Sequence, residues 1–337
     1  MARFAYGGQA LMEGVLMRGR DSIAVAIRHP DGHIVWKAEA LDSVLHRNRF
    51  ARAPFFRGLV VLYETLVVGM RWLMRSGSIA AASEGVEMGR RSMAVMFALT
   101  IAFAIGLFTL LPLFLSRGVA QITVGPNQFL IEQVYEAFIQ IGIFMGYLLL
   151  VGQTADIRRV FQYHGAEHMT IHALEHDDPL TIDEIRKYPT AHPRCGTEFL
   201  VVFIILNIIF FSFLAGQPLL ISIVGRLLMV PLIASVAYEL LRLGARYRAN
   251  PVVRAVFAPG MAVQKITTKQ PDDTMIEVAI ASMQEALRAN GETAPEGSTE
   301  PERQPLEDIA GPEPSHALQQ APGEVPAAAS TVDLTER

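Results

Sequence analysis

Four long apolar runs decide the architecture of this chain. They are Met93–Leu115, Ala137–Val151 with the more polar Phe129–Glu136 leading into it, Phe199–Leu214, and Leu219–Leu241. A membrane span needs about twenty residues. Each run reaches that length with its flanks, the third by recruiting Gly196 to Glu198. In hydrocarbon a segment must satisfy its own backbone hydrogen bonds, so such runs are helices, and Pro112 and Pro231 are tolerable in a packed bundle. The chain is 51% hydrophobic and 18% charged over 337 residues, a balance ordinary for a membrane protein and high for a soluble one. The expected fold is mainly α: a polytopic membrane protein with about four transmembrane helices plus a small α+β cytoplasmic cap.

The placement of Lys and Arg sets the expected orientation. Arg71, Arg75, Arg90 and Arg91 precede the first run, Arg158, Arg159, Arg186, Lys187 and Arg194 separate the second from the third, and Arg242, Arg246, Arg248 and Arg254 follow the fourth. The two opposite loops offer only Arg117 and Arg226. Both termini and residues 152–198 are therefore expected on the cytoplasmic side of a plasma-membrane protein. No apolar stretch follows Met1-Ala2-Arg3-Phe4, so no cleavable signal peptide is expected. One cysteine makes no intramolecular disulfide and implies no oxidising compartment. The tail Gly291–Arg337 holds ten acidic residues, two arginines and seven prolines, and reads as disordered. Without its −8 the net charge moves from −4 to +4, which suits contact with anionic lipid. Basic residues are scattered rather than striped, so the expected partners are the lipid bilayer and an unknown substrate or protein, with no nucleic acid.

Residues 1–50 read as a β-rich cytoplasmic segment. Gly7 to Gly19 is glycine-rich, and Ser22–Arg28 and His33–Ala40 form a hairpin about His29-Pro30-Asp31-Gly32. His29 and His33 flank that turn and read as solvated. Glu13 is either a surface loop residue or an acid pointing into a site. Residues 51–92 contain a helix from Pro54 interrupted by Arg57, Arg71 and Arg75. It reads as amphipathic and interfacial, with Trp72 and the arginines at headgroup level, or else as a helix packed under the bundle. Residues 93–151 and 199–243 hold the apolar runs, and 152–198 a histidine-rich loop. Residues 244–290 read as a turn at Ala258-Pro259-Gly260, a strand Met261–Thr268, and a helix Thr274–Arg288 begun by Pro271-Asp272-Asp273, with Asp272 or Asp273 as its cap. Residues 1–50, 152–198 and 244–290 are each short for a core of their own, so they are expected to fold as one cap. Residues 291–337 are the tail.

Five of the nine histidines and the sole cysteine lie between positions 164 and 195. Successive helical residues turn by about 100°, which puts His164, Glu167, His168, His172 and Glu175 on one face. Histidines at i and i+4 stand one above the other and can grip one metal ion. A glutamate beside the second can act on a metal-bound water as general base. His164 to His168 reads H-x-x-E-H, the inverted zinc-peptidase pattern. His192 and Cys195 follow closely. Glu239, at the cytoplasmic end of the fourth run, either pairs with an arginine such as Arg242 or faces a polar site. Candidate metal ligands are thus His164, His168, His172, Glu175, His192, Cys195 and Glu239, and the candidate catalytic residue is Glu167. The bland reading is a solvated polar face with i,i+4 support. Against it stand the continuation in register to Glu175, the second His/Cys pair, and the cost of a dense ionisable cluster beside membrane spans.

Gly7-Gly8-Gln9-Ala10, Met12-Glu13-Gly14, Phe161-Gln162-Tyr163-His164-Gly165-Ala166-Glu167-His168, His192-Pro193-Arg194-Cys195-Gly196-Thr197, Ala258-Pro259-Gly260 and Pro271-Asp272-Asp273 together resemble the DUF1385 family of bacterial membrane proteins, also called the YqhQ-like family. The resemblance covers roughly residues 5–288. Family members usually carry Lys where this chain has Met169 and a small residue where it has Glu198. The resemblance implies a metal-dependent membrane enzyme and supplies no substrate.

Three functions follow as expectations. The first is a hydrolase-like enzyme at the cytoplasmic membrane face. His164 and His168 would hold a divalent metal, most plausibly Zn²⁺, with a third ligand among Glu175, His192, Cys195 and Glu239, and Glu167 would be general base. Gly165 weakens the motif helix slightly unless it serves close packing. The second is a non-catalytic metal-stabilised scaffold, closed by four ligands such as His164, His168, His192 and Cys195. The third is an ion relay in a transporter, for which Gln140, Asn207 and Glu239 are the residues that read as intramembrane polar groups.

Overall fold

The N-terminal stretch folds as a meander because short apolar runs, continuous in the two central strands, are separated by two tight turns and a Pro-Asp-Gly. The structure, a computed structural model, describes residues 4, 6–41, 53–80, 90–122, 128–193, 195–214, 216–247 and 249–306. Strands β1 (Gly7–Leu11), β2 (Gly14–Arg18), β3 (Ser22–Arg28) and β4 (Ile34–Ala40) pair antiparallel in chain order. The β3–β4 hairpin matches the sequence reading. The β1–β2 hairpin does not appear in that reading. It closes through Met12 and Glu13, with Glu13 at φ +53°, in the left-handed region that non-glycine residues seldom adopt.

In chain order the helices are α1 (Phe56–Ala80), α2 (Arg90–Ile105), α3 (Leu111–Ile122), α4 (Gln128–Val151), α5 (Ala155–Glu175), α6 (Ile182–Ile185), α7 (Gly196–Ser212), α8 (Leu219–Arg246), α9 (Pro251–Thr267) and α10 (Asp273–Ala289). A π-helical turn, Gly106–Leu110, joins α2 to α3. The chain is mainly helical, and among the described residues three stretches are long and apolar enough to cross a membrane: Val95–Val119, Ile131–Val151 and Leu219–Arg246. Helix α7 is apolar but has 17 residues. At about 1.5 Å per residue it is roughly 25 Å long, a few ångströms short of a ~30 Å hydrocarbon core.

Both faces of the sheet are covered. Ile23, Val25 and Ile27 of β3 point to the face that α1 packs on with Trp72 and Ile79. Trp72 is 1% exposed. It therefore does not sit at headgroup level, because the strands offer its ring more apolar contact than an interface does. On the other face Val15, Met17, Ala24 and Ala26 meet α5 and α10 in one core. The small Ala24 and Ala26 let α10 approach until Ser282 Oγ lies 3.0 and 3.1 Å from the carbonyls of Val15 and Ala24. Asp272 caps α10, accepting from the Met275 N–H at 3.0 Å.

Four further sequence expectations are corrected. Met261–Thr268 is not a strand and Ala258-Pro259-Gly260 is not a turn, since α9 runs through all of these residues up to Thr267 and Thr268 is its C-cap. Gly260 serves helix packing instead: a Cβ there would stand 3.0 Å from Glu198 Cγ on α7. The tail is not disordered from Gly291. Residues Arg303–Pro305 form β5, parallel to β4, and Arg303 pairs with buried Glu285 at 2.7 Å. A backbone ladder, the ion pairs of Arg303 with Glu285 and of Glu300 with Arg288, and bonds such as Gln284 Nε2 to Thr299 O hold this segment without the apolar mass that composition looks for. Positions 307–337 lie outside the described residues. Arg117 and Arg226 belong to helices rather than loops. Arg226 is buried between α4 and α8, where it bonds Glu136 and lies over the Phe211 ring. Arg117 pairs with Glu132 of α4 at 3.4 Å.

Candidate metal centre

From Tyr163 to Leu174 helix α5 is buried on nearly all sides. Tyr163, Ala166, Met169, Ile171, Ala173 and Leu174 face the core shared with the sheet and α10. Met169, where family members usually carry Lys, is fully buried in it. The remaining face presents the histidines to two passing segments, the loop before Cys195 and the end of α9.

Those segments hold the imidazoles through backbone carbonyls. His164 Nδ1 donates to Thr267 O at 2.9 Å, and His168 Nδ1 donates to Thr190 O at 2.6 Å. His172 Nε2 donates to Ala191 O at 3.0 Å. A carbonyl only accepts, so each of these nitrogens carries the ring proton. The lone pair of His164 and of His168 is therefore on Nε2, and His164 Nε2 lies 3.1 Å from Cys195 Sγ. Burial holds both histidines below their ordinary range, His168 at about 2 with His164 adding to the effect. Both are neutral near pH 7, the form that binds a metal.

The approach of the second segment depends on Gly165. A Cβ there would stand 2.1 Å from the carbonyl oxygen of Lys269. The bare Cα lets Lys269 lie against α5, with its N–H donating to Phe161 O at 2.9 Å. That is what brings Thr267 O to His164. Cys195 arrives as the N-cap of α7, its sulfur accepting from the Thr197 N–H at 3.3 Å and lying 2.8 Å from Thr197 Oγ1. Burial pushes the thiol up to about 12, with Thr197 opposing it. Binding a metal as thiolate would therefore release a proton.

Two sets of ligand atoms gather along α5, each within 4.8 Å: His164, His168 and Cys195, and then His172, Glu175 and His192. His192 is placed by its own N–H, which donates to Gln264 Oε1 at 2.9 Å. A third set, His29, Asp31 and His33, sits on the β3–β4 turn with its histidine rings stacked at 4.7 Å.

Glu167 and Glu239 belong to none of these sets. Glu167 turns toward β1 and accepts from the Gly8 N–H, and burial pushes its carboxyl up to about 8. It remains close enough to Cys195 for its charge to raise the thiol. Glu239 is committed to an arginine, but to Arg57 rather than Arg242. Arg57 Nε donates to it at 2.7 Å and the Phe55 N–H at 3.2 Å. Gly58 makes this possible by seating α1 directly on Tyr238. Glu13 is likewise engaged, by Arg159 at 2.5 and 2.6 Å and by Tyr163 Oη at 3.2 Å, and so fastens the β1–β2 turn to α5. Arg194 lies outside the described residues.

The sequence reading missed Thr190, Ala191, Thr267 and Gln264. Three of them act through backbone carbonyls, which no side-chain pattern reveals. The one available signal was a glycine inside the histidine motif, because a helix tolerates that mostly where another backbone passes close.

Fold and site thus define a helix-rich protein with span-length apolar helices and a histidine-rich centre where one apolar helix begins. The chain belongs to the family described as "Protein of unknown function (DUF1385)", whose model matches residues 53–289. It is similar to "Uncharacterized protein YqhQ" of Bacillus subtilis (strain 168), with 31% identity over 298 residues, 84% of this chain and 92% of that one. No solved structure matches it.

Proposed function

We propose that this protein is a metal-dependent membrane enzyme of hydrolase type, with its centre at His164, His168 and Cys195. One observation carries the reading: three ligand-type side chains converge within 4.8 Å while backbone carbonyls fix both histidine tautomers. Outer partners of this kind are how metal-binding histidines are oriented. Around a tetrahedral zinc ion, neighbouring N and S ligands lie roughly 3.3–3.6 Å apart, so small side-chain movements suffice. Two imidazoles and a thiolate suit zinc. A divalent ion held there supplies Lewis-acid chemistry to an adjacent polar bond. Three protein ligands leave a position for substrate or water, which favours catalysis over a closed structural site. Glu167 is the proton carrier beside it. If His192 swings in as a fourth ligand, the site closes and the scaffold reading replaces this one.

Metal analysis of untagged, detergent-purified protein tests the reading. Wild type is expected to carry at least one equivalent of a transition metal, and His164→Ala to lose most of it. Metal-free wild type overturns it.

Four spans complete the reading, with α7 lengthened by its flanks and both termini and residues 152–198 in the cytoplasm. Cysteine introduced at Ile122 is expected to react with an impermeant maleimide from outside intact cells, and cysteine at Asp178 to stay unlabelled. The reverse pattern inverts the topology.

A further inference from the structure

We propose that α5 carries two divalent-metal positions rather than one, the second formed by His172, Glu175 and His192. This rests on the metal-dependent reading above and adds an outer ion to it. His172 and Glu175 are one turn apart on the face that already holds His164 and His168. His192 comes from the loop, and its ring sits nearer the outer set than the inner: 4.5 Å from His172 and 5.7 Å from His168, centroid to centroid. His192 Nε2 lies 3.4 Å from Glu175 Oε2, and the three ligand atoms are within 4.8 Å of one another.

Two bonds to the 191–192 peptide place this outer set. His172 Nε2 donates to Ala191 O, and the next residue's N–H donates to Gln264. The peptide that leads into His192 is therefore held at both its C=O and its N–H.

The two positions are separate ions. The backbone midpoint of His172 and Glu175 is about two helical turns beyond that of His164 and His168, roughly 11 Å along the axis, and the nearest rings of the two sets, His168 and His192, are 5.7 Å apart. A pair sharing one bridging oxygen sits ~3.5–4 Å apart. The donor sets also differ. The inner N₂S set is buried and soft, and suits zinc. The outer N₂O set opens to solvent through Glu175, whose side chain is 32% exposed, and it also accepts harder ions such as Mn²⁺ or Fe²⁺. An ion there ties residue 192 to α5, three residues before Cys195. The outer position would thereby regulate how the inner cysteine is presented.

Cobalt titration of the metal-stripped, full-length protein tests this. Expected are two equivalents of Co²⁺ bound, with a thiolate-to-cobalt charge-transfer band that saturates at one. Glu175→Gln and His172→Asn are each expected to lower the total to one and keep the band. Cys195→Ser is expected to remove the band and keep the outer ion. A single equivalent with the thiolate band overturns the second position and leaves the metal-enzyme reading standing. Two equivalents in Glu175→Gln and His172→Asn also overturn it. No binding in wild type overturns both readings.

Discussion

Adding one methyl group at Gly165 is expected to undo the site. On a free helix Gly→Ala is stabilising by about 1 kcal/mol. Here the new Cβ would lie 2.1 Å from Lys269 O, well inside van der Waals contact, and the obstacle is backbone. Lys269 is also tied back to Phe161 by its N–H, so relief requires moving the α9–α10 connection off α5. Overpacking of this kind costs about 1–3 kcal/mol and occasionally more. It falls on the segment that supplies Thr267 O to His164. Gly165→Ala is expected to lower the melting temperature by several degrees and metal content by tenfold or more. Gly142→Ala is the control, since nothing lies within 4 Å of a Cβ there, and the gain in helix propensity should show alone. Equal behaviour of the two variants would refute the close approach.

The parts of this fold that repeat with a period were legible in the sequence. The apolar runs, the β3–β4 hairpin and the Asp272 cap follow from local patterns, and the histidine face follows from i,i+4 spacing. What escaped depends on neighbours. Pro259 and Gly260 have the composition of a turn but lie inside α9, because the glycine is used against Glu198. Trp72 and its arginines have the composition of an interfacial belt, yet the sheet covers the indole. Glu239 is a candidate third ligand as a carboxylate at the cytoplasmic end of the fourth run, yet α1 brings Arg57 to it. At the centre, side-chain types were readable. The carbonyls of Thr190, Ala191 and Thr267 that decide the tautomers depend on how distant segments cross α5.

Glu167→Gln is expected to keep metal and lose function, and His168→Ala to lose both. The glutamine has the volume of the protonated carboxyl, and its carbonyl oxygen still accepts from the Gly8 N–H, so the fold should tolerate it. What it lacks is an exchangeable proton on an acid tuned near neutrality, which is what general acid–base work needs. His168→Ala removes one of three ligands. It also strips Thr190 O of its donor, and an unsatisfied buried carbonyl costs about 1–3 kcal/mol. Metal affinity should fall more than ~100-fold, beyond what loss of an outer partner alone causes. Metal content is measured on purified protein, and function by complementation of whatever phenotype deletion produces. Full complementation by Glu167→Gln, with failure of His168→Ala, would make the metal structural and replace the enzyme with the scaffold. Complementation by both variants, with no metal in wild type, would reduce the histidine face to a polar surface packed against two loops.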